Sequence, residues 1–527
     1  MNKSASLVSG RPFLRLLVIF IAVTPFAIRP GIQDFINLPQ SAFIQVGSLF
    51  LFALWLIGSA IRNQCHIARS PLNLPIIAFL AWSAASLLWA HNTQEGITTW
   101  MQWASGALGY FLVLNAVDNT RDATRIVAAL FASGLLVALL GIGQHLFQVV
   151  WVPQVMPPAS TFGNKNMAVH YIILTAPLGW ALFVNSRRPP IIWLTAIAFS
   201  LMAVYLVYTS TRAGWLAAAA AIVFFTFLLL RNRVRSSIKP HRSGTKESLI
   251  RSFWRKPESS NYQILPDSGL RWSDEEAHKQ RLHKSAAAAV SVLIFLVLIN
   301  LTGSGFESKF QDLYGRATTI VEPLLVSEEG ERGTESKLDP NIYNRLAIWR
   351  NSLEMVKDHP LAGVGLGNFE IFYPLYWNRV LEDNYFSVTS QLERAHNDHL
   401  QILAELGLIG IVLWFWFIFT IFMVCWRLIR PDIEPRTRRY LAIVVTAGIV
   451  GLLVDAFFSF PFQRAIPPFV LMILIGTLAA LRNAKMPRAA TAIDSTITTF
   501  RPPFAQGVHY AAPRSHAPAW ERIFLSK

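Results

Sequence analysis

The residues of this chain that could do chemistry are few, and they lie in short polar islands between long apolar runs. Arg212 sits in YTSTRAGWLAAAA, Arg345 in NIYNRLAIW, and His396 in QLERAHNDHLQILAELG. Guanidinium groups hold phosphates through forked, charge-assisted hydrogen bonds, so two of them can clamp a diphosphate. A neutral imidazole beside them can take a proton from an attacking hydroxyl near neutral pH. ASTFGNKNMAVHY contributes Asn164 and Lys165, and FPFQRAIPP contributes Arg464. His396 and His399 form a His-x-x-His pair with Asn397 and Asp398 between them, a spacing that could bind a metal. It falls short of His-Glu-x-x-His and no third ligand cluster is visible, so no metal site is expected. Gly363, Gly365 and Gly367 give G-x-G-x-G after a helix, where a dinucleotide site needs G-x-G-x-x-G after a strand. The run is read as a tight turn with close backbone packing, and no cofactor is expected.

The elements that must position these groups are apolar helices. Of 527 residues, 53% are hydrophobic and only 15% charged, against about 25% charged in a soluble domain. That excludes a disordered chain, a disulfide scaffold and a simple cytosolic enzyme. A spanning helix needs roughly 20 apolar residues. Twelve segments qualify, near 12–29, 41–61, 73–90, 98–117, 125–147, 167–185, 190–209, 213–230, 285–303, 406–426, 440–459 and 466–482. The first stands behind Lys3, Arg11 and Arg15 and has no small-x-small cleavage site after it, so it reads as a retained helix. With the N-terminus inside, 34 of the 47 Lys and Arg fall in inner segments. An even number of spans then puts both termini in the cytoplasm. The net charge of +16, which could suggest a nucleic-acid partner, becomes an orientation signal, and no nucleic acid is expected. Cys65 and Cys425 fall on the inner side and read as reduced bystanders.

The expected fold is therefore all-α: a polytopic membrane protein of about twelve transmembrane helices with one large helical periplasmic loop. Residues 1–230 would hold helices one to eight, 285–303 helix nine and 406–482 helices ten to twelve. Residues 231–284 carry 13 cations and many serines and read as a disordered cytoplasmic insertion attracted to anionic lipid, and 483–527 as a cytoplasmic tail of the same kind. The outer loop 304–405 has 9 cations against 16 acids, with aromatics and helical periodicity. In it, Asp339-Pro340 opens a helix that stops at His359-Pro360, with Leu346, Trp349, Leu353 and Val356 as its apolar stripe. QLERAHNDHLQILAELG predicts a second helix closed by Gly407, with His396, Leu400 and Leu403 on one face. Asp455, the one acid deep in a span, reads as a structural carboxylate paired with Arg464. This topology collects Arg212, Arg345 and His396 on the outer face.

STFGNKN before the sixth span, STRAGWL entering the eighth, and NRLAIW…HPLAGVGLGNF…AHNDHLQILAELGLIG into the tenth resemble the O-antigen ligase and polymerase superfamily of membrane glycosyltransferases. The resemblance covers roughly 160–220 and 340–415. It implies an active site at the periplasmic face of the bacterial inner membrane that moves a glycan from undecaprenyl diphosphate to an acceptor hydroxyl, with inversion and without a metal. By motif, Arg212 and Arg345 would face the diphosphate and His396 would be the catalytic base. Asn164, Lys165, Asn397, His399 and Arg464 complete the expected substrate-binding set. The 231–284 insertion departs from the family pattern; it and the terminal extensions could serve partners in a polysaccharide export system.

Within that resemblance the acceptor stays open. Lipid A–core sugar is the leading reading, a protein hydroxyl is another, and polymerisation of lipid-linked O-antigen or exopolysaccharide repeats is the alternative. A transporter or flippase would place its ionisable groups at the bilayer midplane. The polar load of this chain lies in the outer loop instead, which favours an enzyme.

Overall fold

A computed structural model of the chain describes residues 11–63, 67–238, 268–300, 340–381, 392–430, 433 and 436–484. Cys65, residues 239–267, the loop stretches 304–339 and 382–391, and the tail from 485 lie outside the described residues. The elements in chain order are α1 (Arg11–Val23), α2 (Asn37–Ile61), α3 (Asn73–Ala85), α4 (Thr93–Ala116), α5 (Thr120–Phe147), α6 (Lys165–Thr175), α7 (Leu178–Asn185), α8 (Pro189–Thr209), α9 (Arg212–Ile238), α10 (Ser268–Asn300), α11 (Pro340–Asp358), α12 (Phe369–Phe372), α13 (Asp398–Leu428), α14 (Arg436–Asp455) and α15 (Ile466–Asn483). Among the described residues there is no strand, only one isolated bridge between Met156 and Asn164.

Every one of the twelve apolar segments overlaps a helix, and among the described residues nine helices are long and apolar enough to cross a membrane, with α6 and α7 counting as one. The other three segments lie on α1, α3 and α4; α3 runs on through a 3-10 turn as a shorter apolar helix, Asn73–Leu88. The chain is a multi-pass membrane protein. A helix apolar all round belongs in a core or in lipid. Burial separates the two cases here: α15 has 89% of its apolar window buried, whereas α9 and α10 have only 22% and 17%. α15 therefore runs through the centre of the bundle, packed on α4 and α6, while α9 and α10 present most of their surface outward.

α9 and α10 also extend into both ends of the insertion expected to be disordered. Residues 231–238 continue α9, and α10 begins at Ser268. Two side chains hold the second extension in place: Gln280 Nε2 donates to Ser186 O (2.8 Å) and Lys284 Nζ to Val184 O (2.7 Å). These are carbonyls at the C-terminus of α7, which need outside donors.

The loop is fastened to the bundle by an exchange of backbone hydrogen bonds. Gly407 interrupts α13 with φ 66° and ψ −167°. A helix would send the N–H groups of Leu408 and Ile409 to the carbonyls of Ala404 and Glu405. Instead Leu408 donates to Pro360 O (2.8 Å) and Ile409 to Leu361 O (3.3 Å). The freed carbonyls accept from Val364 (3.1 Å to Ala404 O) and Gly365 (2.8 Å to Glu405 O). All four of these groups are therefore paired across the break. The two backbones approach so closely that a Cβ at Gly363 would meet Glu405 and Leu406, and one at Gly407 would meet Leu361. Both glycines also have positive φ, so the glycine run is the tight turn the sequence suggests. Around this fastening the loop has its own core of Ile348, Met355, Val364, Phe369, Tyr373 and Leu392.

The expected stripe on α11 is displaced. Ile348 and Met355 are fully buried, while Leu346 and Leu353 are exposed at 38% and 44%. Trp349 and Val356 are only half-buried. Buried Asn351 explains the rotation: its amide donates to Leu381 O (2.8 Å) and accepts from Val380 N–H (3.0 Å), which draws residues 380–381 onto the helix.

Replacing Gly407 by Ala should lower the thermal midpoint of the detergent-solubilised chain clearly, since backbone strain alone costs about 1–3 kcal/mol before the clash with Leu361. Gly143→Ala in α5, where the nearest atom is 3.6 Å away, should leave the midpoint unchanged or raise it.

Candidate functional site

The second loop helix starts later than its periodicity suggests. Asn397 is the N-cap of α13, accepting the Leu400 N–H at 3.1 Å, and Asp398 is the first helical residue. His396 therefore precedes the helix, with φ 52°, and does not share a helical face with Leu400 and Leu403. The Asn-Asp pair ahead of an apolar run is the start signal that the longer apolar periodicity masked.

Asp398 fixes this corner. It is fully buried; its Oδ2 accepts the Phe462 N–H (2.8 Å), and its own N–H donates to Ala456 O (2.8 Å). Those bonds stitch the segment between α14 and α15 against the start of α13. Asp455, at the end of α14, does not pair with Arg464 as expected: it bonds His170 Nδ1, while Ser459 Oγ lies 3.4 Å from His170 Nε2. His170 is on α6 and wholly inside the bundle, so it reaches Asp455 where a boundary arginine does not.

Between these ties, Phe460 packs edge-on to His396 with ring centroids 5.1 Å apart. The Arg464 guanidinium lies 5.2 Å from the centroid of the same Phe460 ring. On the other side of the sequence, Trp349 Nε1 donates to Ala395 O (3.1 Å), binding α11 to the residue before His396. That brings Arg345, one turn earlier on α11, close enough for its charge to act on the imidazole. Burial, and then the Arg345 charge, push the His396 pKa down from 6.5 to about 4. His396 is thus a neutral base at pH 7.

Arg464 is held by its backbone, whose carbonyl accepts from Gln102 Nε2 (2.6 Å). Burial and the neighbouring Arg394 lower its pKa, against the opposing charges of Glu393, Asp34 and Asp398. Arg394 itself pairs with Glu95 at 3.6 Å. The Arg464 Nε–H is buried and has no hydrogen-bond partner among the described residues. A buried donor of that kind is costly unless something accepts from it.

The Arg212 turn is built from the other flank of α6. Asn164 caps α6 by accepting the Asn166 N–H (2.9 Å), and Asn166 Oδ1 accepts from Thr211 Oγ1 (2.9 Å). Ser210, with φ 51°, ends α8 and turns the chain into Arg212, the first residue of α9. Lys165, half-buried, is the first residue of α6, and its N–H donates to Met156 O (2.9 Å). α6 therefore carries Asn166 for the Arg212 turn and, one turn later, His170 for the segment bearing Phe460 and Arg464.

His399 is separate. It is buried a turn into α13, with Nδ1 accepting from Trp414 Nε1 (3.1 Å) and Nε2 donating to Leu453 O (3.3 Å). Both ring nitrogens serve the bundle, and His399, Asp398 and His396 hold different partners. Among the described residues no three His, Cys, Asp or Glu side chains converge as a metal site. Phe460 and the stitching role of Asp398 escaped the sequence reading; the aromatic run FFSFPF between two apolar helices was the available sign.

Residues 197–415 match the family model described as O-antigen ligase, a similarity that supports the O-antigen ligase and polymerase superfamily over this stretch. The matched stretch contains Arg212, Arg345, His396, Asn397 and His399; Asn164, Lys165 and Arg464 lie outside it. No curated protein matches the chain.

Histidine NMR gives a direct check of the electrostatics. The His396 resonance, identified by its loss in His396→Ala, should titrate near pH 4, and Arg345→Gln should move its midpoint upward because one opposing charge is gone. A midpoint at the ordinary 6.5 in the unmodified chain would contradict the burial and the proximity of Arg345.

Proposed function

We propose that the chain is an inverting glycosyltransferase of the ligase type, which transfers a glycan from undecaprenyl diphosphate to an acceptor hydroxyl, with lipid A–core as the acceptor. The family match gives the O-antigen ligase or polymerase type of function. The observation that carries the finer reading is His396: a neutral imidazole outside the helix, set against Phe460 and beside Arg345. In the reading, the acceptor oxygen attacks the anomeric carbon and its proton passes to His396. The bond from that carbon to the diphosphate oxygen breaks, and the diphosphate leaves with the electron pair. Arg212 and Arg345 take up its charge through forked hydrogen bonds. The buried Nε–H of Arg464 supplies a further donor, and Asn164, Lys165 and Asn397 line the approach. With three guanidiniums for one diphosphate, the reaction has no need of a divalent ion.

The Lys and Arg bias of the inner segments supports termini in the cytoplasm and this site at the periplasmic face of the inner membrane. Polymerisation of lipid-linked repeats differs only in the acceptor, which would then be the growing glycan itself. A deletion strain separates the two: loss of a ligase leaves long unattached glycan, and loss of a polymerase leaves single repeats on the surface.

In a membrane assay with a lipid-diphosphate donor, His396→Ala should reduce transfer by about 10²–10⁴-fold, the usual size of a general-base contribution. Arg212→Lys and Arg345→Lys should also reduce it, because charge is retained and fork geometry is not. A chelator should leave the rate unchanged. Full transfer by His396→Ala would overturn the mechanism.

A further inference from the structure

α11 buries one face in the loop core and leaves the other uncovered. The uncovered face reads Leu346, Arg350, Leu353 and Lys357, spaced four, three and four residues apart, which is a single helical stripe; Lys357 Nζ also pairs with Glu354 at 2.7 Å. Just past the helix end, Leu361 is 63% exposed. Leucines alternating with long cations along one face is the pattern of a helix lying in a membrane interface, with the leucines in the acyl region and the cations reaching back to phosphates.

The fastening of the loop shows at what level this stripe begins. Leu361 O accepts the Ile409 N–H, which sets Leu361 beside the first turn after the Gly407 break. From there α13 exposes Leu408, Val412, Phe415 and Phe419, the outward stripe of a membrane-crossing helix. Leu361 thus continues a surface that faces lipid. Tryptophans mark the same level: Trp82 Nε1 donates to Leu406 O (3.0 Å) and its ring packs on Trp89, 5.6 Å away. Such rings collect at the boundary between acyl chains and water. Exposed Leu375 and Trp377 flank the end of α11, held there by Tyr376 Oη and Arg379, which both bond Asp358.

We infer that the exposed face of α11 lies on the bilayer, its leucines among acyl chains and Arg350 at headgroup phosphates, with Lys357 beside it held by Glu354. The loop is then a membrane-surface element, not a domain standing free in water. Arg345 and His396 are consequently held at headgroup level, the depth at which any lipid-borne diphosphate presents itself. The inference does not depend on the glycosyl-transfer reading, since it follows from exposure and from the Gly407 fastening alone.

The test uses the full chain, in nanodiscs of phosphatidylcholine and phosphatidylglycerol with one chain per disc. In a Cys65→Ser, Cys425→Ser background, bimane is attached at Leu353→Cys, at Leu346→Cys and, as a lipid-facing reference, at Phe419→Cys. Phosphatidylcholine with brominated acyl chains should quench both α11 labels as it quenches the reference, and aqueous iodide should reach them poorly. Quenching by iodide without quenching by the bromines would overturn the inference. So would labels untouched by the bromines at one chain per disc and shielded from iodide only at two, which would make this face a contact between copies. Agreement between positions 346 and 353 guards against a local effect of either substitution.

Discussion

The exchange of hydrogen bonds at Gly407 is the constraint on which the rest depends. A continuous helix from Asp398 to Leu428 would satisfy its own backbone and offer the loop nothing to hold. The break releases two N–H groups and two carbonyls, and residues 360–365 pair with all four. Such bonds are orientationally strict, so they fix the loop to the bundle more narrowly than apolar contact could. Glu405 reinforces the join from within: its carboxylate accepts the Gly367 N–H at 2.8 Å and the Gln401 amide at 2.9 Å. Once the 360–367 turn is fixed, α11 is fixed with it, and Arg345 reaches the corner where α13 begins.

That corner is held by buried polar groups, not by apolar packing alone. Asp398 ties the start of α13 to Ala456 and Phe462, and Asp455 ties the same segment to α6 through His170. Removing one partner of a buried pair costs more than the pair contributes, because the other is left without compensation. These ties hold the segment that bears Phe460 and Arg464. His396 then lies among an aromatic ring and cationic neighbours, an environment that penalises the imidazolium and favours the neutral base. Water would undo this by solvating the imidazolium and by screening Arg345, so burial of the imidazole is what keeps it neutral.

Much of this was legible in the residues. Twelve apolar runs, a basic bias on alternate connections, and the Pro and Gly punctuation of the loop were enough for an all-α membrane protein and for both ends of α11. The glycine run at 363–367 read correctly as a turn because no strand precedes it. Three things were not legible. α13 starts at Asp398, later than the periodicity implies, because Leu and His continue a helical period across the Asn397 cap. The apolar stripe of α11 is partly exposed, since a leucine on an outer face and one that meets a core look the same in sequence. The partner of Asp455 is 285 residues away on α6, and no local pattern encodes a contact of that span.

The central claim is that Arg212, Arg345 and His396 serve one reaction centre assembled from the bundle and the loop together. A cryo-EM structure of the full chain with an undecaprenyl-diphosphate-linked glycan tests it most directly. The account predicts the diphosphate in contact with both the Arg212 and the Arg345 guanidiniums, with the anomeric carbon facing the His396 imidazole across a space one hydroxyl wide. A diphosphate bound away from either arginine, or a sugar on the far side of Phe460 from His396, would contradict it.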